Sequence, residues 1–147
     1  MKKFVLLVLI AGSSFGTLGF SNSSEILEFS IQIENWKDLK KVLEQRYGEE
    51  FATLFTKVSI YESGWEYDTY VSKNLNNIFA FVCNPKCQCD KSGYAKFSSK
   101  EEALEFLDWW INYAPPKLNE NLIDWLKRRG YNTENPEYYE YLNQIII

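Results

Sequence analysis

The chain has 147 residues, of which 46% are hydrophobic, 24% charged and 17% aromatic, with three cysteines and no histidine. Length and apolar content suit one globular domain, and the missing histidine excludes Ser-His-Asp and Cys-His catalysis, a histidine general base and histidine metal ligands. With 16 basic against 20 acidic residues the net charge is −4, and an acidic chain without a basic cluster is excluded from sequence-independent nucleic-acid binding.

The amino end has the layout of a secretory signal. Lys2 and Lys3 precede an unbroken apolar run at residues 4–11, and residues 12–24 are small or polar. The run is too short to span a bilayer as a helix; its alternative is a buried terminal helix or strand. Residues 1–22 are therefore expected to be a signal peptide, cut between residues 16 and 22, and residues 23–147 the working domain. Without Lys2 and Lys3 that domain carries 14 basic and 20 acidic residues, a net of −6. A periplasmic or secreted location follows, with no stable membrane insertion after signal removal and a monomer as the expected state.

The predicted elements are mainly α. Residues 34–47 form a first helix, with Trp36, Leu39, Val42, Leu43 and Tyr47 at helical spacing and Gly48 as its stop. Residues 49–63 form a second, with Phe51, Leu54, Phe55 and Val58 inward and Gly64 as terminator. Residues 65–97 read as irregular, and the apolar pieces at 78–82 and 94–97 suit a short β-hairpin. Ser99 and Glu102 form a capping box that opens a third helix, striped by Ala103, Phe106, Leu107 and Trp110 and ended by Pro115-Pro116. A fourth helix covers residues 120–129, and a fifth starts with Asn135 as cap and Pro136 at its first position and runs through Leu142. The run Lys127-Arg128-Arg129 suits the negative end of the fourth helix's dipole.

Cys83, Cys87 and Cys89 lie within seven residues of one another. In an exported chain the default is one disulfide, Cys83 with Cys87 or with Cys89, leaving one thiol over. A zinc site is the alternative, but a fourth soft ligand is missing nearby, and no cofactor or metal is expected. Without histidine to activate it, no cysteine reads as a nucleophile.

One carboxylate stands out. Continuing the stripe of the second helix four residues past Val58 reaches Glu62. Burial favours the neutral acid, and the negative end of the helix dipole pushes the same way. Such a glutamate can hold a proton near neutral pH and deliver it to a leaving-group oxygen, as glycosidic cleavage requires. The alternative is that the stripe rotates away and Glu62 is solvated.

The residues around Glu62 carry a family resemblance. Glu62-Ser63-Gly64-Trp65 followed by Asn76-Asn77-Ile78-Phe79 resembles the signature of bacterial glucosaminidase domains, family 73 of the glycoside hydrolases in the lysozyme-like superfamily. Tyr94 with the Ser-x-Glu-Glu-Ala helix start at Ser99, and Gly130-Tyr131-Asn132-Thr133 with Pro136 and Tyr138, are similar to later segments of those domains. The ordered matches span residues 49–145.

The resemblance implies a small lysozyme-like domain of about five helices with an irregular or hairpin middle. It implies an endo-β-N-acetylglucosaminidase that cleaves the β-1,4 bonds of peptidoglycan glycan strands. Glu62 matches the general acid, and Tyr131 the tyrosine facing it, which orients the substrate's acetamido group or stabilises the transition state. Asn76, Asn77 and Phe79 match the segment lining the cleft. Trp65 is a sugar-stacking candidate with a core cap as its alternative, while Trp109, Trp110, Trp125, Tyr138, Tyr139 and Tyr141 read as core.

There are departures. Glu66 and Ala80 stand where the family carries glycine, Asn135 is an extra residue before Pro136, and Asp90 is the sole acid in the cysteine-rich stretch. In the family that stretch often bears a second carboxylate. Two alternatives follow: a lytic transglycosylase using the same acid, and a non-catalytic module binding wall glycan or a partner.

Overall fold

A computed structural model describes residues 32–147. The expected signal at residues 1–22 and the domain start at residue 23 lie outside the described residues. Within them the chain is a small, mainly helical domain of six helices and one two-stranded antiparallel hairpin. No helix among them is long and apolar enough to cross a membrane.

Helices α1 (Trp36–Tyr47) and α2 (Glu49–Ser63) form a hairpin around Gly48. The Asn35 side chain accepts from Lys37 N and Asp38 N, and the Asp38 carboxylate returns to Asn35 N, a complete capping box. Gly48, at φ 85°, ends α1 by donating to the Glu44 carbonyl, and its own carbonyl starts α2 by accepting from Ala52. One residue thus serves two helices because glycine tolerates the positive φ.

Most of α2 is buried. Ala52, Leu54, Phe55, Thr56, Val58, Ser59, Ile60 and Ser63 all lie in the interior, wider than a single stripe. Phe55 meets Phe79, Trp110 and Trp125 at ring-centroid distances of 6.1, 6.4 and 6.1 Å, so it anchors an aromatic core. Glu62 then sits at the margin of the buried surface, in the last turn.

Gly64 closes α2 at φ 77°, ψ 166°, a region open essentially to glycine. A Cβ there would collide with Asp68 Oδ1. Gly64→Ala is therefore expected to lower stability by about 2 kcal/mol, read as a lower midpoint in chemical denaturation.

The middle segment is more ordered than its sequence suggests. Helix α3 (Tyr70–Leu75) occupies part of the stretch expected to be irregular, capped by the Thr69 side chain at Ser72 N and ended by Asn76 at φ 51°. Strands β1 (Gln88–Cys89) and β2 (Ala95–Lys96) pair with Gln88 opposite Lys96 and Cys89 opposite Ala95. The expected strand at residues 78–82 contributes only a bridge from Val82 to Tyr94 and the bond from Ala95 N to the Phe81 carbonyl, 2.8 Å. Ile78, Phe79 and Phe81 are all buried, which removes the in-and-out alternation of a half-buried strand. Cys83 and Cys89 form the disulfide, which excludes both as zinc thiolates, and Cys87 remains a free thiol near the Asn84 carbonyl.

Helices α4 (Lys100–Tyr113), α5 (Leu122–Arg128) and α6 (Tyr138–Gln144) complete the domain. Ser99 caps α4 at Glu102 N, but the Glu102 carboxylate binds Ser98 N and Ser98 Oγ, so the reciprocal half of the box falls one residue early. Asn121 caps α5 and fixes its start two residues later than expected. Asn135 and Pro136 form a turn rather than a first helical turn: Asn135 Oδ1 accepts from Glu137 N and α6 begins at Tyr138. Trp125 and Tyr138 are fully buried, while Tyr141 is exposed and Trp109 and Trp110 are half-buried.

Candidate functional site

The cleft beside Glu62 is built where several elements end. Glu62 comes from the last turn of α2, residues 80–82 from the segment after α3, Trp110 from α4, and Arg129 to Glu134 from the chain leaving α5. These residues line a depression of about 520 Å³. A second cavity of about 510 Å³ lies against α2, α5 and α6, lined in part by Glu50, Lys57, Leu122 and Leu142, and does not include Glu62.

Burial raises the proton affinity of the Glu62 carboxyl above the ordinary glutamate range. Two groups oppose it. The Tyr138 hydroxyl stands beside the carboxylate, and Asn132 Nδ2 donates to Glu62 Oε1 at a long 3.4 Å. The Tyr138 contact falls short of a well-formed hydrogen bond, leaving that buried hydroxyl without a partner. Its own proton is held tightly, first by burial and then by the nearby Tyr131 and Glu62. Desolvation wins at Glu62, and no basic residue occupies the last turn of α2 to offset the dipole.

Tyr131 lines the same cleft, so the two residues expected to act together are brought together. Its hydroxyl, however, donates to the Phe79 carbonyl, and its ring packs on Trp110 at 5.8 Å and Tyr138 at 6.0 Å. Burial and then the Glu62 charge hold its proton well above the ordinary tyrosine range. With that proton committed to the backbone, Tyr131 is not a free donor at the cleft. The Tyr139 hydroxyl donates in turn to the Tyr131 carbonyl and fixes the turn.

The other expected substrate contacts lie elsewhere. Asn77 and Phe79 are fully buried and cannot touch a substrate. Asn77 is instead a hub: its Nδ2 donates to the Phe81 and Ala95 carbonyls at 2.8 and 2.9 Å, and its Oδ1 accepts from Phe81 N at 2.9 Å. Phe79 is core. Asn76 caps α3 and bonds the Phe97 and Ser98 carbonyls, both at 3.1 Å. Trp65, 44% exposed, meets Trp36 edge-on at 5.5 Å and is not among the cleft residues. Asp90 accepts from Ser92 N and Ser92 Oγ and from the Tyr70 hydroxyl at 3.4 Å, which holds its carboxyl below the usual range, and it too is outside the lining.

Three cleft residues were not singled out as site residues by the sequence. Glu134 is the carboxylate that shares the lining with Glu62, Arg129 is its cation, and Asn132 touches the acid. Asn132 stood within the Gly130-to-Thr133 segment but carried no assigned role.

Ala80 explains one departure. It lines the cleft at φ 49°, the left-handed region that glycine enters without strain. Ala80→Gly is expected to raise stability by about 1 kcal/mol, measured as a higher denaturation midpoint, while removing one methyl from the cleft wall.

In comparisons with known proteins, no family model matches the chain, and no curated protein and no solved structure matches it either.

Proposed function

We propose that the domain is a peptidoglycan hydrolase that cleaves β-1,4 glycosidic bonds at N-acetylglucosamine, with Glu62 as general acid. One observation carries the reading: a half-buried glutamate, its proton affinity raised by desolvation, stands at a helix end on the wall of an open cleft. A glycosidic oxygen is a poor leaving group until it is protonated, and an acid that keeps its proton near neutral pH supplies that proton in the transition state. Tyr131 and Trp110 line the same cleft and add aromatic surface to the wall beside the acid.

In this reading Glu134 takes the role first looked for at Asp90. Standing on the same cleft, it activates water or supports the oxocarbenium charge; without it, the substrate's own acetamido group is the nucleophile. The signal-like layout of the sequence supports a location outside the cytoplasm, and the Cys83–Cys89 disulfide is compatible with it.

Purified protein incubated with cell walls is expected to release soluble fragments with N-acetylglucosamine at the new reducing end. Mass spectrometry separates the competing chemistry, because an anhydro end lighter by one water marks a transglycosylase. The Tyr131 hydroxyl's commitment to Phe79 favours a second reading, a glycan-binding module without turnover. Wall binding with no new ends would select it.

A further inference from the structure

The basic run at the end of α5 splits in three directions. Lys127 lies 4.0 Å from Asp124 and over the Tyr139 ring. Arg128 is clamped by Glu120, with Nε to Oε1 and Nη2 to Oε2 both at 2.7 Å. Arg129 turns into the cleft instead. Its Nη2 donates to the Trp110 carbonyl at 2.9 Å, and its guanidinium lies 4.0 Å from the Trp110 ring centroid.

Arg129 has no ion-pair partner among the described residues, although the chain holds 20 acids. Its Nε is buried without a hydrogen-bond partner. Desolvation, and then the neighbouring Arg128, weaken its hold on its proton. Glu134 and Glu62 share the cleft, but neither makes a bridge to Arg129. A partly desolvated cation without a counter-charge is costly, and with Nε buried and Nη2 on the Trp110 carbonyl, the guanidinium, oriented by stacking, offers a carboxylate the donors at its Nη end.

We propose that Arg129 is the subsite for a carboxylate carried by the glycan, so that the cleft selects muramyl-containing strands over neutral chitin-type oligomers. This rests on the glycan reading of the cleft. The carboxylate has two sources, the lactyl group of a peptide-free strand and the stem peptide of a substituted one. A purely structural Arg129 would pin the end of α4 through Trp110 and would not distinguish charged from neutral sugars.

The test is calorimetric binding to the Glu62→Gln protein, in which turnover is suppressed. The probes are a peptide-free N-acetylglucosaminyl-N-acetylmuramyl tetrasaccharide, the same sugar bearing stem tripeptides, the methyl esters of both, and chitotetraose. At least one free acid should bind about tenfold tighter than its ester, the size expected for one charge-assisted contact. The pair showing the difference identifies the source of the carboxylate. Adding Arg129→Gln should abolish that difference while changing chitotetraose affinity by less than about twofold. The ester comparison uses unaltered Arg129 and so survives a folding defect in the variant. Equal binding of acids and esters overturns the proposal and leaves the glycan reading standing. Failure of every sugar to bind overturns both.

Discussion

Replacing Glu62 by glutamine is expected to lower wall-cleaving turnover by a factor of about 10² to 10⁴, the loss of a positioned general acid. The same change should make the protein more stable at pH 7, by on the order of 1 kcal/mol, because a site built for chemistry is rarely the most stable arrangement. The sign follows from linkage. Burial raises the proton affinity of Glu62 in the folded protein above that of the unfolded chain. Its contribution therefore favours folding fully below the unfolded-state value and is lost as pH rises through the folded-state value. Glutamine never ionises, so its advantage appears at neutral pH and vanishes in acid, below the ordinary glutamate range. Denaturation midpoints of both proteins at pH 4 and pH 7 measure this directly. In the same way, turnover should fall on the alkaline side as Glu62 loses its proton. A variant that keeps full activity removes Glu62 from the mechanism.

Asn77→Ala should produce the largest loss of stability, about 3–4 kcal/mol, because three buried hydrogen bonds to the backbone are lost together and Phe81 N loses its acceptor, although the Phe81 carbonyl keeps the bond from Ala95 N. That is a large share of the stability of a small domain. The amide joins Phe81 to Ala95, where the irregular segment passes the hairpin without regular pairing. Asn77→Asp is a sharper version. It keeps an acceptor for Phe81 N but sets an oxygen against the Phe81 and Ala95 carbonyls. Urea denaturation measures the loss. A residue whose work was substrate binding would leave the midpoint unchanged and weaken only substrate affinity.

The two results separate what the residues disclose from what they conceal. The α1–α2 hairpin was legible to the residue at the end of each helix, because Gly48 and Gly64 adopt positive φ and nothing else there would serve. Helix α3 was not legible: its six residues carry no repeating stripe, and only Ser72 and Leu75 are buried. The hairpin partner was misplaced because residues 78–82 are apolar on both sides, a pattern that spells full burial as readily as a strand.

Glu62 could be found by extending a helical period by four residues. The motif that flagged Asn77 and Phe79 marked positions near the cleft in the chain, but not the direction of their side chains. Arg129 and Glu134 reach the cleft because α5 ends where it does, a matter of tertiary packing that spacing along the chain does not report.

The catalytic reading of the cleft depends on one proton. The direct measurement is the titration of the Glu62 carboxyl carbon by NMR in the free protein, with Glu62→Gln used to assign the signal. A midpoint clearly above the ordinary glutamate range, moving with the alkaline limb of the activity profile, is the expected result. A midpoint at or below that range would leave Glu62 ionised at neutral pH and unable to serve as the acid.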